Sequence, residues 1–183
     1  SDRRRGARTV LDILFHRLTT WLAPVLVFTM EEVWLERFPG DDSSVHMIDF
    51  PETPASWRNL QNEENVAKVR RVRRVVTAAL ELQRRDTVLG SSLEAAPVVH
   101  VEDEETRRLM ALVDMDDVCI TSGLSISADP APAEAFRLPE TDGVGVVFEM
   151  AEGEKCQRCW KILPDVGKHK HAGTCGRCSD ALG

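Results

Sequence analysis

The sequence has no long apolar run, no internal repeat and no low-complexity tract. Its longest apolar stretch, Leu22 to Phe28, is broken by Pro24 and falls far short of the roughly 20 residues that cross a bilayer as a helix. No membrane span is expected. A glycine-rich loop that could cradle phosphates is also missing, so nothing in this stretch points to nucleotide chemistry. The amino end, Ser1-Asp2-Arg3-Arg4-Arg5, has neither a starter methionine nor an apolar targeting segment. The expectation is a piece of a longer protein that works in the cytoplasm with its cysteines reduced. What remains is ordinary in bulk: 183 residues, 43% hydrophobic, enough for one good-sized domain or two small ones.

Against that background, four cysteines near the carboxyl end stand in two pairs, Cys156-Gln-Arg-Cys159 and, after fifteen residues, Cys175-Gly-Arg-Cys178. Each pair makes a short knuckle that aims two thiolates at one ion, and this spacing is that of a structural zinc site. Four sulfurs complete a tetrahedron and leave no position for water or substrate, so such a site folds protein and does no chemistry. Two disulfides could use the same residues, but a fifth cysteine, Cys119, would stay unpaired. A redox Cys-x-x-Cys pair would want a strand before it and a helix after it. His169 and His171 could in principle replace a thiolate; with four cysteines available they are assigned to the connecting loop. About thirty residues bury little core, so the metal supplies most of the folding free energy of this unit. Cys119, in Val118-Cys119-Ile120, reads as a buried strand residue.

The net charge of -7 is unevenly spread. Residues 100–150 are strongly acidic, whereas the stretch 66–85 and the cysteine unit are basic, and local sign decides where a polyanion docks. Leu11, Leu14, Phe15, Leu18 and Leu22 define a helix over 9–22, and Pro24 opens a second over 24–37. This second helix is apolar on most sides and is expected at the centre of a bundle, with Glu31 and Glu32 as its wet edge. Pro39 to Pro54 form a long loop closed by Trp57. In a third helix, from about Asn59 to Arg85, Val66, Val69, Val72, Val76, Ala79 and Leu80 share one sector, with arginines opposite. Lys68 pairs locally with Glu64, and Arg85 with Glu81. Arg70, Arg71 and Arg74 are left as an RNA-contact candidate, since phosphate would relieve the repulsion between Arg70 and Arg74; the other reading is a solvated polar face.

After Gly90 the pattern changes to strands at Val98–Val101, Val118–Ile120, Leu124–Ile126 and Val144–Phe148, with a short helix at Glu104–Leu112. The expected fold is α+β: a partial helical bundle over residues 1–95, a small mixed α/β module over 96–152 and a zinc finger over 153–183.

Three stretches carry a family resemblance. Leu22-Ala23-Pro24-Val25-Leu26-Val27-Phe28-Thr29-Met30-Glu31-Glu32-Val33-Trp34 resembles a helix of the anticodon-binding bundle in class I aminoacyl-tRNA synthetases for isoleucine, valine, leucine and methionine. Val69-Arg70-Arg71-Val72 through Leu80-Glu81, with Leu89-Gly90-Ser91-Ser92-Leu93-Glu94-Ala95, resembles the following helix and turn of the isoleucine group. Glu154-Lys155-Cys156-Gln157-Arg158-Cys159-Trp160 with Cys175-Gly176-Arg177-Cys178 is similar to the terminal zinc unit of bacterial isoleucyl-tRNA synthetases. The resemblance implies a helical anticodon-binding domain with its opening helices truncated, a linker module and a four-cysteine finger holding one structural zinc ion. It implies a parent activity, ATP-dependent joining of isoleucine to tRNA. The family's two ATP signatures, His-Ile-Gly-His and Lys-Met-Ser-Lys-Ser, do not occur in this sequence, so ATP belongs to the parent's catalytic domain, and that domain and the editing domain are partners in cis.

Recognition of a tRNA anticodon stem-loop, tRNA(Ile) by the resemblance, needs aromatic or guanidinium planes and hydrogen bonds to unstacked bases. Trp160, Arg158 and Arg177 are placed for this if they face outward, with Lys161, Lys168 and Lys170 contacting phosphates. Trp160 could instead cap the finger's own small core. Two rival readings stay open: a DNA-binding zinc-finger module of a repair-type protein, and a protein-interaction adaptor whose acidic middle docks a basic partner.

Overall fold

The computed structural model describes residues 2–183 apart from the side chain of Arg3, so Ser1 and that side chain of the basic amino-terminal stretch lie outside the described residues. The chain divides into two compact units, Ser1–Asn59 and Leu60–Gly183, and the fold is α+β. Among the described residues, no helix is long and apolar enough to cross a membrane.

In the first unit, α1 (Asp2–Leu22) packs against α2 (Val27–Arg37). The side chains that hold them are aromatic. Phe15 stacks on Trp34 with ring centroids 6.1 Å apart, Phe38 closes the cluster at 4.7 Å from Trp34, and the indole donates to Ser43 Oγ at 3.1 Å. The 39–57 loop is tied back at several points. Arg17 donates to the Glu52 carbonyl at 2.8 Å and lies 4.5 Å over the Trp57 ring, which accounts for the loop ending there. Two expectations change. Glu31 is no wet edge: its carboxylate accepts from Ser44 Oγ at 3.0 Å and the Val45 amide at 2.9 Å. Nor is α2 central, because only Met30 and Trp34 are buried on it and Phe28 is 85% exposed.

The second unit is built on α3 (Leu60–Arg85), whose apolar sector (Val72, Val75, Val76, Ala79, Leu80) closes over a three-stranded sheet. The sheet order is β2 (Ser125–Ser127), β1 (Val98–Val101), β3 (Val144–Val147). β1 and β3 are antiparallel, with Val99 opposite Val146, while β1 and β2 are parallel. A parallel pair needs a crossover, supplied by α4 (Glu104–Met110) and α5 (Met115–Cys119). Val99, Val101 and Val146, each at most 2% exposed, point into the same core as α3. The helix therefore belongs with the sheet, and the packing divides the chain at residue 59 where the sequence reading divided it at 95. Residues Val118–Ile120, expected as a strand, instead end α5 and turn through Ile120 in left-handed backbone, φ 59°.

Candidate metal centre and nucleic-acid interface

The cysteine unit is a continuation of the second unit. A two-stranded ribbon, β4 (Glu154–Lys155) with β5 (Ile162–Leu163), carries the first knuckle at its tip, and α6 (Gly176–Leu182) starts inside the second. Two glycines permit the folding. At Gly153, φ 117°, a Cβ would lie 2.3 Å from the Leu163 carbonyl, and at Gly173, φ 71°, it would lie 2.6 Å from the Gln157 side chain. Asp165 braces the second knuckle by accepting the Gly176 amide at 2.8 Å, with His169 Nε2 2.9 Å from the same oxygen.

The four ligand sulfurs of Cys156, Cys159, Cys175 and Cys178 all lie within 4.8 Å of one another. Cys159 Sγ and Cys175 Sγ are 3.8 Å apart. A tetrahedral zinc with sulfurs at about 2.3 Å has edges of about 3.8 Å, so the donor set fits that ion. All five cysteines are free, which removes the disulfide reading, and neither His169 nor His171 joins the cluster. Burial pushes the Cys175 thiol up to about 12. Burial acts the same way on Cys156, but amides of Cys159, Cys175 and Arg158 outweigh it and hold that thiol down at about 6. A zinc ion held by these four sulfurs would displace the protons that remain.

Trp160 follows the first knuckle and faces outward, 62% exposed. It occupies left-handed backbone, φ 66°, which an aromatic residue rarely adopts, and its amide donates to the Cys156 carbonyl at 2.9 Å. Lys155 Nζ sits 5.9 Å from the ring centre. Arg158, exposed, places Nη1 3.7 Å from Cys178 Sγ, where a cation offsets thiolate charge. Lys168 is exposed, and Lys170 donates to the Gly183 carbonyl at 2.6 Å.

Lys161 is the clear departure. Expected at a phosphate, it is 7% exposed, with Nζ 2.5 Å from Asp116 and 2.6 Å from Asp117. Burial alone would lower its pKa; the two carboxylates more than offset that and raise it. Such a pair is committed to the fold. Its partners lie more than forty residues away in sequence, so no local signal announced it. Arg177 shares Asp117 at 3.0 Å. On α3, Arg74 meets Glu140 at 3.0 Å, and Arg70 and Arg71 form no ion pair among the described residues. These three arginines line a shallow cavity of about 550 Å³ with Arg73, Thr77, Ala78 and Glu81. Lys68 pairs with Glu105 at 2.6 Å instead of Glu64, and Glu81 takes Arg84 instead of Arg85. Much of the acidic middle is thus consumed internally, which weighs against a surface reserved for a basic partner.

The first unit, α3 and the turn that follows it coincide with a recognised family. The chain belongs to the anticodon-binding domains of tRNA ligases: the model described as "Anticodon-binding domain of tRNA ligase" matches residues 1–99. A second model, "Zinc finger found in FPG and IleRS", matches residues 153–181 and identifies the four-cysteine unit as a zinc finger. That description names two groups, so it is the match over residues 1–99 that disfavours the repair-type alternative. The particular relatives are isoleucine–tRNA ligases. The one from Ruegeria pomeroyi is 83% identical over 183 residues, all of this chain and 19% of the relative. Those of Brucella abortus and Agrobacterium fabrum are 52% and 49% identical over 167 residues, 91% of this chain and 17% of each relative. The chain spans about a fifth or less of the length of these relatives.

Proposed function

We propose that this chain is the RNA-reading end of an isoleucine–tRNA ligase and that it recognises the anticodon stem-loop of tRNA(Ile). The parent enzyme joins isoleucine to that tRNA using ATP, in the cytoplasm, at catalytic and editing domains that act in cis with this chain. The observation that carries the reading is Trp160, an exposed ring held on strained backbone at the edge of a four-cysteine knuckle. A bound zinc ion stiffens that knuckle, so the ring is presented with little ordering left to do on binding. Trp160 stacks on an unstacked base and Arg158 offers a guanidinium plane beside it. Lys168, Arg70 and Arg71, exposed and outside the ion pairs described above, contact phosphates; Arg74, Lys170 and Arg177 add to the positive field while partly held by their own partners. Lys161 contributes by holding the finger in place. The test is binding of the zinc-loaded chain to tRNA(Ile) and to the same tRNA with an exchanged anticodon, each at several salt concentrations. Tighter binding of the native anticodon, with affinity falling as salt rises, supports the reading. Equal binding of both leaves only charge attraction and refutes it.

A further inference from the structure

The finger is fastened to the sheet module through both of its knuckles. Lys161, two residues beyond the first knuckle, reaches Asp116 and Asp117; Arg177, inside the second, reaches Asp117. The two oxygens of Asp117 therefore hold one residue from each knuckle, Oδ1 facing Lys161 and Oδ2 facing Arg177. Nearby, the Ile162 amide donates to Ser122 Oγ at 2.6 Å, and the Ser122 amide donates to the Ala95 carbonyl at 3.0 Å. One carboxylate can bridge these two cations only while the knuckles are held together, which the four-sulfur site does alongside the Gln157 amide, donating to the Gly173 carbonyl at 2.9 Å.

The receiving segment also depends on this contact. α5 is five residues long and ends on Ile120 in left-handed backbone, costly for a β-branched side chain. A helix of that length does not persist by itself. Lys161 in turn tolerates burial only because Asp116 and Asp117 neutralise it.

We infer that Asp117, with Lys161 and Arg177, is a clasp that couples metal occupancy of the finger to order in residues 115–122. Zinc then stabilises a segment of the sheet module that it does not touch, and by reciprocity the clasp raises the affinity for zinc. These are positioning residues: they act on the sulfurs through the knuckles. The inference is independent of what the finger binds, since its test contains no RNA.

Zinc affinity of the 183-residue chain is measured by competition with a chelator of known affinity for the native protein, Asp117→Asn, Lys161→Met, the double variant and Lys161→Arg. Asp117→Asn and Lys161→Met are each expected to bind zinc about tenfold more weakly, and the double variant more weakly than either but by less than the product of the two, because they share the Lys161–Asp117 pair while Asp116 and Arg177 give each a further partner. Lys161→Arg, which keeps the charge, is expected to stay near the native affinity. Amide hydrogen exchange on the native chain gives a readout that needs no variant: removing zinc is expected to deprotect 115–122 while Val99, in the central strand, and Val146, whose amide donates to the Phe136 carbonyl at 2.9 Å, stay protected. Native zinc affinity in the single variants, effects that multiply fully in the double variant, or unchanged protection of 115–122 would each overturn the inference.

Discussion

Replacing Trp160 with glycine and, separately, with alanine divides what its ring does from what its backbone costs. Left-handed backbone costs an L-residue about 1–2 kcal/mol, a cost that glycine does not carry. Both variants lose the ring. It is 62% exposed, so roughly two-fifths of a tryptophan's usual 150–250 Å² is lost, at most about 1.5–2.5 kcal/mol. That loss is common to both and cancels between them. Trp160→Gly is therefore expected to be more stable than Trp160→Ala by about 1 kcal/mol, the reverse of the order inside ordinary helices or strands. Urea unfolding of the zinc-loaded proteins measures this difference. Stacking on a base contributes about 1–3 kcal/mol, so tRNA affinity should fall by about 5- to 150-fold, equally in the two variants. Fluorescence anisotropy with labelled tRNA(Ile) reads that fall. Equal stability of the two variants would refute the argument from φ, and unchanged affinity would refute the stacking role.

Cys156→Ser is expected to remove stoichiometric zinc and unfold residues 153–183 while the helical signal of α3 persists; metal analysis with circular dichroism checks both halves. Thiol counting probes the same site. Burial pushes Cys119 up to about 11, so at pH 8 the zinc-loaded chain should offer no fast-reacting thiol, and chelation, which frees the four ligand thiols and loosens residues 115–122, should expose all five. A fast thiol in the loaded protein would contradict this. Asp103 caps α4 by accepting the Thr106 amide at 2.7 Å, and its hydrogen bonds from Thr106 hold its pKa below the usual 3.8. Its stabilisation is therefore fully present above pH 3.8 and is lost as pH falls through the lowered value. Asp103→Ala should lower the melting temperature at pH 7 and flatten that acid dependence, whereas Asp103→Asn, itself a good cap, should keep most of the stability.

The zinc site was legible because it is written as spacing: two short knuckles and a connecting span need no tertiary information to be read. The long helices were legible for a similar reason, since an apolar sector in α3 follows from its period. The partner of that sector was not. Periodicity announces a face and says nothing of what covers it, so the sheet under α3 was not foreseen, although the family match over residues 1–99 takes in α3 with the helices before it. Val118–Ile120 misled because three apolar residues are too few to carry a period, and the acidic residues at 114, 116 and 117 that open α5 are the better signal. The charged residues were hardest. Lys161, Lys68 and Arg74 looked like free or locally paired cations, and each is matched by a carboxylate distant in sequence.

Photo-crosslinking of the zinc-loaded chain to tRNA(Ile), with the contacted nucleotides and residues both mapped, tests the central claim most directly. Crosslinks joining Trp160 or Arg158 to anticodon-loop bases, lost when zinc is chelated, are the expected result. Crosslinks confined to the acceptor stem, or unchanged after chelation, would contradict the account.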